Sequence, residues 1–139
     1  MSSLPVLEDR YFHGSVTVSR DLVVTGDLIA KVLITEEITD PGNGAAIPVT
    51  SSGSLMLTSG GSGETRTLAI PTFVGQRLSI GFDTDGGGDI AITVAAAVNQ
   101  AGNTTLTGAD AGDHISLEAI TVGGGYLWRI LANDGFALS

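Results

Sequence analysis

The sequence predicts an all-β protein, an antiparallel sandwich or jelly-roll-like barrel with an N-terminal arm and a short β extension. Three observations carry that prediction. The 139 residues include 20 glycines but only 15% charged residues, whereas helix-rich soluble domains carry more Glu, Lys and Arg on their wet faces. Val, Ile, Leu and Thr recur in short runs punctuated by Gly, Asn and Asp, the composition of strands separated by turns. Inside those runs the apolar residues alternate, as at Leu78, Ile80 and Phe82 and again at Ile90, Ile92 and Val94. A period of two gives each strand one buried and one wetter face.

Residues 1–12 read as an arm. Pro5 forbids a regular central strand, and Leu4, Val6, Leu7, Tyr11 and Phe12 are more apolar than a free tail needs. These five are the candidate contacts to a neighbouring subunit. Residues 13–35 carry a short repeat: Gly14-Ser15-Val16, Arg20-Asp21-Leu22 and Gly26-Asp27-Leu28 recur every six residues. Two readings of it stand side by side, a meander with turns at Ser19-Arg20 and Gly26-Asp27, or a wrapped β segment that closes its core against other chains. "TDPGNGAAIP" (39–48) is a turn-rich connection, "GSLMLT" (53–58) a strand and "SGGSGE" (59–64) a flexible loop. The division is placed at residue 44, with 1–44 as arm and extension and 45–139 as the β domain.

From residue 65 onward the strands are "RTLAI", "QRLSIGFD", "DIAITVAAAV", "NTTLTG", "HISLEAI" and "YLWRILA". The expected core is Leu68, Ile70, Leu78, Ile80, Phe82, Ile90, Ile92, Val94, Ile115, Leu117, Trp128 and Ile130. Trp128 is its C-terminal anchor.

Composition excludes several functions. With no cysteine there is neither a disulfide framework nor a thiolate zinc site. A net charge of -9 with pI about 4.3 leaves no basic stripe to neutralise phosphates, so nucleic acid is not an expected partner. No apolar run is long enough to span a bilayer, so no membrane is expected either. The opening MSSLPVLEDRYF lacks the basic start and apolar stretch of a signal peptide.

"DTDGGGD" (83–89) raises the question of a calcium loop. An EF-hand beginning at Asp83 puts Gly88 correctly at its sixth position, but Gly87 falls at the fifth and Val94 at the twelfth, where a bidentate Glu is needed. Residues 78–92 also align with 115–129 at an offset of 37: Gly86–Gly88 match Gly123–Gly125, while Asp83, Asp85 and Asp89 are replaced by Ile120, Val122 and Tyr126. The glycines persist without the carboxylates. The stretch is therefore expected to be a solvated acidic hairpin tip, with no metal and no cofactor.

Catalytic signals are sparse. No Gly-x-Ser-x-Gly elbow or phosphate-cradling Gly-rich loop with Lys is present. His114, in "GADAGDHI" beside Asp110 and Asp113, reads as a structural hydrogen-bonding residue at a strand start, and one Trp, two Tyr and four Phe are few for a sugar platform. The protein is read as a non-enzyme.

Two segments together, "VTVSRDLVVTGDLIA" near the start and "AGDHISLEAITVGGGYLWRILANDGFALS" at the end, resemble small β-rich virion proteins of tailed bacteriophages. Within that group the chain is most similar to capsid decoration, or cement, proteins. The resemblance covers most of the chain in style, through short motifs rather than one residue-by-residue match. It implies a homotrimer on the outer capsid surface, the major capsid protein as partner, and shell stabilisation as the job. Leu4, Val6, Leu7, Tyr11 and Phe12 then become candidate capsid contacts as well. The competing expectation is a tail-fibre or tail-spike component that binds a host receptor or glycan.

Overall fold

The computed structural model describes residues 17–20, 23 and 35–139. The arm residues Leu4, Val6, Leu7, Tyr11 and Phe12 lie outside the described residues, as does most of the six-residue repeat. One compact unit is Ile34–Ser139. It takes in residues 36–44, so its strands begin before the division placed at residue 44.

The described residues form an all-β sandwich without a helix. Its strands are β1 (Glu36–Ile38), β2 (Ala45–Ile47), β3 (Gly53–Thr58), β4 (Glu64–Leu68), β5 (Arg77–Thr84), β6 (Ile90–Val94), β7 (Thr105–Gly108), β8 (His114–Val122), β9 (Gly125–Asp134) and β10 (Ala137–Leu138). The front sheet has the order β1-β3-β5-β8-β9 and the back sheet β10-β7-β6-β4-β2.

From β1 to β6 the chain alternates between the sheets, odd strands in front and even strands behind. It thus winds around a shared core for three turns, and β1, β3 and β5 pair in parallel, as do β2, β4 and β6. From β7 onward all pairing is antiparallel. The sheets are therefore mixed, which corrects the expectation of a purely antiparallel domain. The physical reason is that alternation reports one buried face and is blind to the direction of the neighbouring strand.

Register puts the core in rows. Ile38, Leu55, Ile80 and Ile115 lie side by side across the front sheet, and Ile47, Leu68 and Val94 across the back. All are buried. Leu57, Leu78, Phe82, Ile90, Ile92, Val98, Leu106, Leu117, Ala119, Trp128 and Phe136 complete the interior. Trp128 donates its indole N–H to the Ala69 carbonyl at 2.8 Å, which satisfies its one polar atom while the ring is buried.

Two expected core residues differ. Ile70 is half exposed, because β4 ends at Leu68 and Pro71 cannot continue the ladder. Ile130 packs on the core but is only partly buried. The β8–β9 register shifts beside it, with Ser116 opposite Ala132 and Leu117 opposite Ile130, so Leu131 is an extra residue.

Candidate functional site

Strand direction decides where each connection falls. In the wound half the strands of one sheet all run the same way, and the chain reverses each time it changes sheet. Connections 39–44, 59–63 and 85–89 therefore share one end of the sandwich with 109–113 and 135–136. Connections 48–52, 69–76, 95–104 and 123–124 share the other.

These two poles differ in chemistry. Asp40, Glu64, Asp83, Asp85, Asp89, Asp110, Asp113 and Asp134 all lie at or beside the first pole. The connections of the second pole contain no Asp, Glu, Lys or Arg, although charged residues of the strands border it: Ser51 donates to Glu36, Arg77 pairs with Glu118 at 3.5 Å, and Arg129 donates to the Ala97 carbonyl at 2.9 Å. The connections carry exposed apolar side chains instead: Ile70 (50% exposed), Phe73 (42%) and Val74 (59%), joined by Ile120 (37%) and Val122 (43%) from the end of β8. The two groups adjoin, since the Gly75 amide donates to the Ala119 carbonyl and the Ala119 amide to the Gln76 carbonyl, at 2.9 and 2.8 Å. Buried Gln76 fixes this pole further by donating to the Val49 and Ser51 carbonyls at 3.0 and 2.9 Å.

The acidic pole is built by stacking corners. Arg66 of β4 is 1% exposed and points inward with Leu68. Its Nε and Nη2 donate to Asp40 at 2.8 and 3.1 Å, and Nη2 also reaches Glu64 at 2.9 Å. Asp40 accepts in addition from the Gly42 and Thr58 amides. Burial works against the Asp40 carboxylate, but the bonds from Arg66 and the two amides outweigh it and hold its pKa below the ordinary Asp value. For Glu64 the Gly60 amide is the main cause of a lowered pKa, with Arg66 second. The Arg66 pKa is raised, chiefly by the hydrogen bond to Asp40. One buried cation thus clamps the first corner to the second.

The second corner holds the third. The Ser59 amide donates to the Thr84 carbonyl at 2.9 Å and the Glu64 amide to the Asp89 carbonyl at 2.8 Å. The Gly86 amide donates to Ser59 Oγ at 3.1 Å. A Cβ on Gly86 would sit 2.7 Å from the Gly60 carbonyl carbon, and one on Gly88 would overlap the Ser62 carbonyl. Here glycine is required for close approach of two backbones.

This geometry corrects the hairpin reading of "DTDGGGD". β5 and β6 lie in different sheets, so residues 85–89 are a sheet-changing corner. Asp85 serves the corner itself: Oδ1 accepts from the Gly87 amide at 2.7 Å and from Ser59 Oγ at 3.4 Å. Among the described residues no three His, Cys, Asp or Glu side chains converge as a cation-holding group. The matched triplet at 123–125 is a true hairpin tip, with Val122 paired to Gly125 and positive φ at Gly123 and Gly124.

His114 opens β8, and its Nε2 lies 2.7 Å from Ser79 Oγ. The Asp113 carboxylate instead accepts from the Ala109 and Asp110 amides at 2.9 and 3.1 Å, closing the β7–β8 turn. The pair therefore lacks the carboxylate that orients a histidine in a Ser-His-Asp set, among the described hydrogen bonds. Beside Ser79 lies a hollow of about 270 Å³, lined by residues that include Ser54, Ser79, Ser116, Arg77 and Leu131.

The polarity of the sandwich is hidden in the sequence, although a signal exists. Carboxylates lie in or directly beside every second connection, and only the up-and-down path of the strands reveals that these connections share one end. No protein-family model matches the chain, and no curated protein matches its sequence.

Proposed function

We propose that this is a structural virion protein, a capsid decoration (cement) protein that binds the outer capsid surface through the major capsid protein and stabilises the shell as a trimer. The observation that supports this reading best is the charge segregation of the sandwich. A domain with an acid-rich end and an end whose connections are uncharged and rich in apolar side chains has a preferred way up on a surface. Apolar patches of this kind mark contact sites, while the carboxylates keep the outward end solvated and repel unspecific neighbours.

The mechanism follows from linkage. A protein that binds only the assembled lattice stabilises that lattice by mass action. Three linked copies raise the effective concentration of each contact, so that individually weak contacts hold firmly together. The arm residues Leu4, Val6, Leu7, Tyr11 and Phe12 would add strand or side-chain contacts to a neighbouring subunit.

Co-sedimentation with assembled, undecorated shells tests the reading. The protein is expected to pellet with shells but not with unassembled capsid subunits, and to raise the melting temperature of the shell. Deletion of residues 1–12 is expected to weaken pelleting and to leave the melting of the β domain unchanged. Failure to pellet would overturn the reading. The tail-fibre alternative draws on the wound half, because a two-sheet winding can be lengthened turn by turn. It predicts adhesion to host cells in place of shells.

A further inference from the structure

The geometry points to a binding site for a single neutral sugar ring, in the hollow on the outer face of the front sheet. The inference does not rest on the shell-binding reading, and it gives the molecule a second contact of a different kind.

The floor of the hollow follows from register. Ser54 of β3, Ser79 of β5 and Ser116 of β8 lie side by side on three neighbouring strands. The next residues along, Leu55, Ile80 and Ile115, are buried in the core, so the three serines face outward. Strands ~4.8 Å apart spread these hydroxyls across roughly 10 Å. The middle one is held in place, with Ser79 Oγ 2.7 Å from His114 Nε2. All three stand on interior strands of the sheet, so little remains to be ordered on binding. Leu131 forms a wall. It is the extra residue of the β8–β9 bulge, and a bulge re-aims a side chain. It lines the hollow and is still 53% exposed, which leaves apolar surface for a ligand to cover. Arg77 also lines the hollow, and its only ion pair among the described residues is to Glu118 at 3.5 Å.

This chemistry selects the occupant. A hydroxyl both donates and accepts, so a floor of hydroxyls suits a ligand whose own groups do both. Charge around the floor is mixed. Arg77, Glu118 and Arg129 are cross-strand neighbours, and Glu37 lies beside Ser54 on β1. A simple anion meets the carboxylates and a simple cation meets the guanidiniums, whereas a neutral polyol bonds to either. Leu131 supplies a contact for the C–H face of a ring. The volume of about 270 Å³ lies just below the ~300–1,000 Å³ of drug-sized pockets, room for one ring. Among the described residues no aromatic side chain lines the hollow, so binding is expected at millimolar sugar.

Amide nuclear magnetic resonance on the full chain tests this, with glucose, galactose, mannose and N-acetylglucosamine as probes and glycerol and acetate as controls. At least one sugar is expected to give saturable shifts at Ser54, Ser79, Ser116 and Leu131, and the controls none there at equal concentration. Ser116→Val is expected to weaken the affinity for that sugar about tenfold, the scale of one lost hydrogen bond, with the thermal melting transition retained. If that variant fails to fold, Ser54→Val at the more exposed hydroxyl is used.

No saturable shift from any of the four sugars at decimolar concentration would overturn the inference. So would shifts that gather away from the hollow, or an affinity unchanged by loss of the serine hydroxyl. Equal shifts from acetate would mark a plain anion site, and equal shifts from glycerol an unspecific polyol contact, and either overturns it too. Shell co-sedimentation is read separately. Sugar binding without pelleting sinks the shell reading alone, and pelleting without sugar binding sinks this inference alone.

Discussion

Gly86–Gly88 and Gly123–Gly125 look alike in sequence and do different work. The first triplet lies at a corner where the chain passes from the front sheet to the back, pressed on the backbone of Ser59–Gly63. The second caps an antiparallel hairpin in open space, where no atom but the Val122 carbonyl comes within 4 Å of an added Cβ. One needs glycine because there is no room for a side chain. The other needs it because a left-handed turn suits few other residues. The same contrast separates the two halves of the sandwich. The wound half is held by corners stacked on corners, and the antiparallel half by a ladder between sequence neighbours.

Substitutions can break this comparison or sharpen it. The largest effect is expected from the double replacement Gly86→Ala with Gly88→Ala, which forces two corners apart. Its expected cost is about 4 kcal/mol, two overpacked positions together, read by denaturant unfolding. Asp40→Ala comes next, because it leaves the guanidinium of Arg66 buried with Glu64 as its one charged partner among the described residues. About 3 kcal/mol is expected, the low end for breaking a buried pair, and hydrogen exchange is expected to show β1 and β2 loosening before β8 and β9.

Acid probes the same clamp. Asp40 and Glu64 have folded pKa values below their ordinary values of 3.8 and 4.5. Their contribution is therefore complete above the ordinary values and is lost as pH falls past these through the lowered ones. Melting followed from pH 6 to pH 2 is expected to show a loss over that window, and Asp40→Asn is expected to flatten it.

At the hairpin the effects are smaller. Gly124→Ala, at φ +84°, is expected to cost about 1 kcal/mol. Gly125→Ala, without a positive φ, is expected to stay within about 0.5 kcal/mol. Equal costs for Gly88→Ala and Gly125→Ala would erase the distinction between the triplets.

The strands most clearly legible in the sequence are those with three alternating apolar positions, β5, β6 and β8. β1, β2 and β10 are two or three residues long, too short to establish a period. Parallel pairing was illegible because Leu78, Ile80 and Phe82 alternate in the same way whichever direction β3 runs. Ile70 shares parity with Leu68 but lies beyond the strand that parity describes. Arg66 is the reverse case. Its parity with Leu68 marks it as inward-facing, and only its charge argues for the wet face. The acid-rich connections were visible one at a time, while their gathering at one pole depends on topology. The arm, which carries the expected capsid contacts, lies outside the described residues.

The most direct test of the winding is a set of backbone amide–Hα nuclear Overhauser effects across β3, β4, β5 and β6. Parallel ladders joining Leu55 to Ile80 and Arg66 to Ile92 are predicted, with no backbone ladder between β5 and β6. An antiparallel ladder across the Gly86–Gly88 turn, joining Phe82 to Ile90 and its neighbours, would contradict the corner and with it the separation of the two poles.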